Sequence, residues 1–327
     1  MASIDKVRRP VIIDTDLSFD DYVALLYLLQ HPEIDVRAIT VVNGVVHVGP
    51  GVENAGRLLT LVGRRDIPVA GGPDGALSGQ RAFPGSWRSI LDYGIRLMLP
   101  WSSAPASSLS AAELICQQCL ASDKPVTFVA LGPLTNLALA LRLEPKLPSC
   151  IESIIISGGA FNVAGPIHTD LPDNPNQVAE WNLYVDVEAA DEVFKSGIPI
   201  VLVPLDVTHV TGPQPLVFSR DGVKRLRKAA RGRASRLMVR LIHFWGMSVS
   251  QFPAIPVWDA AVAALVTDPA MGTEWRDLAI RIELEPEAVA GQTVIVDGKP
   301  ANARVCFGGD QAAFEAAYLS IARGLGS

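Results

Sequence analysis

The sequence has no long apolar run and no concentrated positive surface. No apolar stretch reaches the roughly 18 residues of a membrane-spanning helix, and residues 1–10 lack the apolar segment of a secretory signal. The formal net charge is −6, and the densest basic stretch, residues 224–236, is typical of one solvated helix face. Because phosphate backbones are bound by clustered cations, we expect no binding to nucleic-acid polymers. Because an apolar span and a secretory signal are both lacking, we expect a cytoplasmic protein that does not bind membranes.

Cysteine is also scarce, with four residues among 327. Cys116 and Cys119 form a C-x-x-C pair, but residues 110–121 around them have a helical pattern. A redox-active pair of this kind lies at a helix N-terminus after a strand. We therefore expect two reduced cysteines on a helix rather than a redox centre.

The sequence does contain a repeated alternation of apolar strands and helices. Strands are predicted at residues 11–14, 36–42, 67–70, 126–131, 151–157 and 198–203, and helices at 20–29, 52–62, 134–143 and 187–196. Continuous apolar strands between helices indicate a parallel sheet covered on both faces. We predict an α/β fold with an open, mostly parallel sheet flanked by helices and a Rossmann-type core, as one domain over residues 1–327.

Two segments rich in Gly, Pro and Ser interrupt this alternation, at residues 71–108 and 158–176. Long loops in compact α/β domains are usually functional or disordered. The last third is less regular: we expect helices at about 234–245 and from Asp259, and strands at 278–284, 292–296 and 303–307.

Four carboxylates lie between the first predicted strand and the first predicted helix: Asp14, Asp16, Asp20 and Asp21. In open α/β sheets, ligands bind outside the carboxyl ends of the strands. Like charges this close repel, and a hard divalent cation such as Ca²⁺ or Mg²⁺ would compensate them. Helix capping would explain one or two of these residues, but not all four. The segment therefore predicts a cation site.

Two further features are weaker when taken alone. Asp259 follows Trp258 at a predicted helix start, where it could simply be an N-cap. Glu180-Trp181-Asn182 precedes another element start and has no specific meaning by itself.

Together these features resemble the inosine-uridine nucleoside hydrolase family, whose opening motif is D-x-D-P-G-x-D-D. Further matches occur in the family's order at Gly132-Pro133-Leu134-Thr135-Asn136, Ser157-Gly158-Gly159, Ala179-Glu180-Trp181-Asn182, Asp186, Glu188-Ala189-Ala190, Leu205-Asp206-Val207-Thr208 and Asp259. The resemblance extends from about residue 10 to about residue 310. It implies hydrolysis of the N-glycosidic bond of a nucleoside, a small-molecule partner, and a homo-oligomer, either a dimer or a tetramer.

The resemblance also implies site roles. Asp16, Asp21 and Asp259 would bind Ca²⁺ together with the backbone carbonyl of Leu131, and Asp14 would lie beside the metal. Asp16 would also be the general base for the attacking water. The ribose contacts would be Asp20, Asn174, Glu180 and Asn182. Since the transition state is oxocarbenium-like, acidic groups around the ribose would favour its developing positive charge.

Two tryptophans resemble those of the purine-preferring, inosine-adenosine-guanosine branch. Trp258 stands where many members have a histidine that protonates the leaving base, and Trp87 lies in Phe83-Pro84-Gly85-Ser86-Trp87-Arg88 of the first long loop. In that branch two tryptophans sandwich the purine, and stacking contributes about 1 kcal/mol or more per face. Trp87 could instead be an ordinary loop anchor.

The chain departs from the family pattern at four places. Leu17-Ser18 replaces Pro-Gly, and Val45 stands where an asparagine or aspartate is usual, with Asn43 two residues earlier. Ser157 replaces a usual methionine, and residues 165–180 form a longer segment than expected, so Asn176 competes with Asn174 for one ribose contact.

Two rival interpretations remain at this point. A haloacid-dehalogenase-like phosphatase would share the D-x-D pattern of Asp14 and Asp16, but would give Asp21 and Asp259 no role. A catalytically inactive nucleoside- or ribose-binding protein would keep the pocket without the chemistry.

Overall fold

The computed structural model describes residues 8–101 and 106–324. The strands are β1 (Arg9–Thr15), β2 (Ile34–Val41), β3 (Val69–Gly71), β4 (Val126–Ala130), β5 (Ile151–Ser157), β6 (Ile200–Val203), β7 (Phe218–Ser219), β8 (Ala254–Ile255), β9 (Gly272–Leu278), β10 (Ile280–Ile282), β11 (Thr293–Ile295) and β12 (Ala303–Gly309). The helices are α1 (Phe19–Leu28), α2 (Val48–Val62), α3 (Gly85–Gly94), α4 (Ala111–Leu120), α5 (Thr135–Leu143), α6 (Leu147–Cys150), α7 (Ile167–Asp170), α8 (Trp181–Val185), α9 (Val187–Phe194), α10 (Leu205–Thr208), α11 (Arg220–Ala229), α12 (Gly232–Ser248), α13 (Trp258–Thr267) and α14 (Gln311–Ala322). Within the described ranges, none of the helices is long and apolar enough to cross a membrane.

An eight-stranded sheet in the order β3-β2-β1-β4-β5-β6-β12-β9 forms the centre of the fold. Its strands pair in parallel except for β9, which pairs antiparallel to β12. This confirms the predicted mostly parallel α/β sheet. The chain runs outward from β1 to β3 and then returns to β4 on the other side of β1. The carboxyl ends of β1 and β4 therefore form the switch point at which open α/β sheets bind ligands.

Hydrophobic layers cover both faces of the sheet. In β1, Val11 and Ile13 join one cluster and Ile12 joins the other, as the alternation of a strand requires. On the first face, α1 lies against α12 and α13, and every residue of α1 from Asp20 to Leu28 is buried. A helix enclosed in this way has a fixed position and rotation. The first turns of α1 and α13 are consequently held next to each other.

Several sequence-based expectations were wrong in detail. The predicted loop at residues 71–108 contains α3 and the 3₁₀ helix Ile95–Met98. The single strand expected at 278–284 is instead the end of β9 and the separate strand β10. The basic stretch at 224–236 is not one helix face, because it is divided between α11 and α12 at Gly232, whose φ is 72°.

The C-x-x-C pair lies within α4, as predicted. Cys116 and Cys119 are buried free thiols, and burial raises the pKa of Cys116 to about 11 and that of Cys119 to about 12. Because only the thiolate is a strong nucleophile, these side chains are suited to packing rather than to redox exchange.

Candidate active site

A sharp turn follows β1 and places its acidic segment at the switch point. Leu17 is buried and has a φ of 56°, a conformation that costs a residue with a Cβ roughly 1–2 kcal/mol. The Leu17 N–H donates to Thr15 Oγ1 at 3.1 Å, which supports the turn. Ser18 then caps α1, and its own N–H donates to Asp21 Oδ2 at 2.8 Å. Asp21 therefore does take part in helix capping, as the alternative interpretation held.

Backbone from two strand ends closes tightly around Asp16. The Val45 N–H donates to Asp16 Oδ2 at 2.7 Å. A Cβ on Gly44 would lie 2.1 Å from that same oxygen, and a Cβ on Gly132 would lie 3.1 Å from Asp16 Cβ. The loop after β2 and the turn after β4 thus hold Asp16 by close backbone approach. Val45, the departure from the family pattern, contributes its N–H rather than its side chain.

Asp20, Asp21 and Asp259 form a compact buried cluster, which we call the acidic triad. Each offers a carboxylate oxygen, and these oxygens lie within 4.8 Å of one another. The Asp259 N–H donates to Asp20 Oδ2 at 3.2 Å, across the contact between α1 and α13. Asp259 lies inside the first turn of α13, whose N-cap is Val257, so the expectation that Asp259 caps this helix was wrong.

Asp16 adjoins the acidic triad through Asp21. The Asp21 carboxyl group lies within hydrogen-bond reach of both Asp16 and Asp259. The resemblance implied Asp16, Asp21 and Asp259 as the metal-binding carboxylates. The acidic triad of the structure has Asp20 in place of Asp16. The structure therefore brings four carboxylates together: Asp16, Asp20, Asp21 and Asp259.

Burial and mutual repulsion govern the electrostatics of this site. Burial raises the pKa of Asp20 to about 6 and raises the pKa of Asp16 and Asp259 well above the ordinary value, with repulsion among the carboxylates adding to it. The hydrogen bonds that lower the pKa of Asp21 come from Thr15 and Ser18, together with Asp259. Neutral donors offset this charge less well than a cation would. Buried, all-oxygen donors fit a hard divalent cation such as Ca²⁺ or Mg²⁺, so these residues could hold a metal ion.

Asp14 lies behind this site in β1. Its Oδ1 accepts from Thr40 Oγ1 at 2.5 Å and from Asn136 Nδ2 at 2.8 Å, while its buried Oδ2 has no hydrogen-bond partner within the described ranges. Burial raises the pKa of Asp14 to about 7. An orphaned carboxylate oxygen in the interior is costly, and a nearby cation would reduce that cost.

The carboxyl ends of β4 and β5 are joined by Asn182. Its Nδ2 donates to the carbonyls of Leu131 and Ser157, each at 3.0 Å. The Ser157 side chain in turn donates to Asp259 and lowers the pKa of that carboxyl group. The predicted residues Leu131 and Asn182 are thus linked to the acidic triad through Ser157.

Glu180 caps α8 rather than standing free. Its carboxylate accepts from the backbone N–H groups of Asn182 at 2.9 Å, Gly159 at 3.3 Å and Leu183 at 3.4 Å. Burial nevertheless raises its pKa to about 7. A backbone hydrogen bond from Trp181 also lowers its pKa, so four backbone N–H groups act on this carboxylate.

The two asparagines that competed for one ribose contact have different environments. Asn176 is fully buried, and its Nδ2 donates to the carbonyls of Glu287 at 2.9 Å and Ala290 at 2.8 Å. Its polar groups are committed to holding the loop. Asn174 is half-buried: its Nδ2 donates to Tyr184 Oη at 2.6 Å and to Glu287 Oε1 at 3.2 Å, and its Oδ1 accepts from the Asn176 N–H at 2.9 Å.

Trp87 and Trp258 belong to two different aromatic clusters. Trp87 is 37% exposed and meets Trp181 edge-on, with ring centroids 6.0 Å apart, and Trp181 stacks on Phe83 at 4.8 Å. Trp258 meets Trp245 edge-on at 5.9 Å. Each predicted tryptophan is therefore supported from the side by another indole ring.

Sequence reasoning missed the attachment of α3 to the loop after β2. Arg88 Nη2 donates to Asn43 Oδ1, and Asp92 accepts from the His47 N–H at 2.9 Å and pairs with His47 Nδ1 at 2.8 Å. Arg88 and Asp92 are four residues apart, which places them on one helix face. That spacing was the available signal, but the helix itself had been taken for a loop.

Fold and site together define an α/β protein with a buried acidic cluster at the switch point of its sheet. Residues 11–316 match the sequence model of a family described as inosine-uridine preferring nucleoside hydrolase. The match covers nearly the whole chain, so the protein belongs to that family. The phosphatase interpretation is excluded by this membership.

Individual relatives agree on the family but differ in the substrates that they are named for. A pyrimidine-specific ribonucleoside hydrolase, RihA, from Shewanella sp. strain ANA-3 is 37% identical over 322 residues, covering 94% of each chain. Among solved structures, a plant nucleoside hydrolase, the PpNRh1 enzyme, is similar with a TM-score of 0.81 and 28% identity, covering 96% of this chain and 99% of that one. An inosine-guanosine nucleoside hydrolase is similar with a TM-score of 0.82 and 27% identity, over the same shares of the two chains. Membership of the purine-specific branch is not confirmed by these similarities.

Gly44→Ala should disrupt the site while leaving the fold intact. The added Cβ would lie 2.1 Å from Asp16 Oδ2, so the loop must shift and the Val45 N–H must leave that oxygen. Because misplacing a reacting group by about 1 Å can cost roughly 100-fold, we expect a loss of that order in kcat/KM for ribose release. Gly49→Ala is the matched control, since nothing lies within 4 Å of its Cβ. Equal activity of the two variants would contradict the role of this close approach.

The chelated protein should lose stability as the pH rises from about 4 to about 7. Folding raises the pKa of Asp20 to about 6 and those of Asp14 and Glu180 to about 7. In this window the folded state therefore binds more protons than the unfolded state, and the free energy of unfolding falls with rising pH. Thermal denaturation with a chelator at about pH 5 and about pH 8 measures this.

Added Ca²⁺ should restore more of the melting temperature at the higher pH, where the carboxylates are ionised. A chelated protein that melts later at about pH 8 than at about pH 5 would contradict this electrostatic account.

Proposed function

We propose that this family member hydrolyses the N-glycosidic bond of ribonucleosides, with Ca²⁺ bound by Asp16, Asp21, Asp259 and the Leu131 carbonyl. One observation carries the proposal: buried carboxylates from α1 and α13 meet at the carboxyl end of the sheet next to Asp16, where burial and the charges of Asp20 and Asp21 raise the pKa of Asp259. Asp20 belongs to the same compact group and is close enough to share between the ion and the sugar. The bound cation would orient the attacking water and ease its deprotonation.

Asp16 is the general base in this proposal. Its Oδ2 is held by the Val45 N–H, and Gly44 and Gly132 leave no room for it to swing toward the strand-end loops. A base fixed in this way can accept the proton of the attacking water without first reorienting. Asp14 lies behind it and supports the site's negative potential.

The ribose lies among Asp20, Asn174, Glu180 and Asn182. Glu180 is held in place by three backbone N–H groups, and Asn182 by two carbonyls, so both are preorganised. Negative groups around the ring favour the positive charge that develops on it in the transition state.

A preference for purine nucleosides is the finer part of the proposal. It is supported by Trp87 and Trp258, two large rings held by neighbouring indoles, since a purine offers more stacking area than a pyrimidine. The pyrimidine-specific RihA relatives favour the opposite preference. We further propose a single hydrolase domain that acts in cytoplasmic nucleoside salvage as a homodimer or homotetramer.

Release of free ribose from five nucleosides tests the function. Inosine, guanosine, adenosine, uridine and cytidine are each assayed with and without a chelator. We expect ribose from the purine nucleosides at the highest kcat/KM, loss of that activity on chelation, and recovery with Ca²⁺. Binding of nucleosides without any ribose release would instead support the catalytically inactive interpretation.

The same assay on Trp258→Ala addresses the base preference. If Trp258 stacks on the base, guanosine turnover falls far more than uridine turnover, because the purine loses the larger contact. Equal losses on both substrates would contradict the stacking role, and a wild type that prefers uridine and cytidine would overturn the purine preference alone.

A further inference from the structure

The departing nucleobase does not receive a proton here from the side chain that supplies it in many members of the family. Trp258 stands where many members of the family have a histidine, and an indole offers one weak N–H donor. When the bond between C1′ and the base nitrogen breaks, the electron pair stays on the base. A base that leaves without a proton carries negative charge, which is spread onto its ring nitrogens and carbonyl oxygens.

Arg88 is the buried cation closest in sequence to the predicted base-stacking residue Trp87. It is only 9% exposed. One guanidinium N–H is satisfied by Asn43, but its buried Nε has no hydrogen-bond partner within the described ranges. A buried unsatisfied donor costs about 1–3 kcal/mol, and more when it is charged. The side chain is thus held in place with donor capacity unused.

The position of Arg88 ties it to the active site by two routes. Its partner Asn43 immediately precedes Gly44 and Val45, the two residues that close on Asp16. The negative charges of Asp92, Asp16 and Asp74 act on the guanidinium, that of Asp92 most strongly. Four residues further along α3, Asp92 fastens the helix to His47 at the other end of the same short loop. Arg88 is therefore part of the wall that carries the proposed general base.

We propose that Arg88 contacts the nucleobase and stabilises the negative charge that develops on it as the glycosidic bond breaks; this inference rests on the proposed hydrolase function. Water forms the new bond to C1′ and gives one proton to Asp16. The C1′–N bond breaks with its electron pair going to the base. The base leaves as an anion beside Arg88 and takes up one proton in solution, which balances the proton held by Asp16.

The chemistry of guanidinium suits this task. Arginine remains charged throughout the working pH range, so it acts by electrostatics and hydrogen bonding rather than by transferring a proton. Its fork of N–H groups matches a carbonyl oxygen next to a ring nitrogen. Preorganised donors at a site of developing charge typically contribute 10²–10³-fold to turnover.

Arg88→Gln tests the proposal on ribosides whose leaving groups differ in how much stabilisation of negative charge they need. For inosine and uridine we expect kcat/KM to fall by roughly 100-fold or more. For 4-nitrophenyl β-D-ribofuranoside, whose phenolate leaves unaided, we expect kcat/KM to fall no further than it does in Asn43→Ala, since both variants break the hydrogen bond between Arg88 and Asn43 and only Arg88→Gln removes the guanidinium. 5-Fluorouridine, a near-isostere of uridine with a more acidic base, should lose less than uridine does.

Two further variants separate this role from a positioning role. Asn43→Ala releases the loop from Arg88 and should lower kcat/KM for all of these substrates in similar proportion. Arg96→Gln is the matched control, because Arg96 pairs with Glu53 outside the pocket, and it should leave every rate unchanged.

Arg88 only positions the loop if Arg88→Gln lowers kcat/KM for the nitrophenyl riboside and for the nucleosides in parallel. The same conclusion follows if the variant lowers kcat/KM equally for uridine and 5-fluorouridine. Either result overturns the proposal. No loss on any substrate would overturn it as well. A wild type that releases ribose from none of these compounds would instead refute the proposed hydrolase function, and this outcome is distinct from the others.

Discussion

Mutual repulsion among buried carboxylates is the constraint on which the rest of the site depends. Asp16, Asp20, Asp21 and Asp259 are brought together in the interior, where burial and neighbouring charge raise their pKa values. Such a cluster opposes folding unless a cation or protons neutralise it. A divalent cation bound among these carboxylates would compensate their charge.

The surrounding fold holds this unfavourable arrangement in place. α1 is enclosed by the sheet, α12 and α13, so the first turns of α1 and α13 cannot separate without exposing a large apolar surface. The loop after β2 closes on Asp16 from the other side. Apolar packing thus provides the free energy that holds the charges together, and the site is rigid because it is built on helix starts and strand ends.

Much of this was predictable from the sequence, because the signals are local. The apolar strands and the acidic segment after β1 follow from residue type and order alone, and their meeting at the carboxyl edge follows from parallel topology. The roles of Glu180 and α3 were harder to predict. The ribose contact of Glu180 stays a prediction, but the capping of α8 by its carboxylate was not foreseen. The helix α3 was hidden in a segment rich in Gly and Pro, where tertiary contacts, among them those with Asn43 and His47, stabilise it.

The antiparallel edge strand β9 was also difficult to predict from the sequence. Its burial alternates weakly, with only half-buried and exposed residues, so periodicity carries little information there. Its pairing with β12 is set by tertiary contacts across the edge of the sheet. Expectations based on periodicity therefore held for the centre of the sheet and failed at its margin.

The central claim is that the clustered carboxylates at the start of α1 and α13 form one divalent-cation site together with Asp16. A crystal structure grown with Ca²⁺, with the ion identified by anomalous scattering, tests it most directly. The account predicts one ion per chain, with oxygens of Asp16, Asp21 and Asp259 and the Leu131 carbonyl at about 2.3–2.6 Å, the usual Ca²⁺–oxygen distance. An ion bound elsewhere, or no ion between β1 and α13 at saturating Ca²⁺, would contradict it.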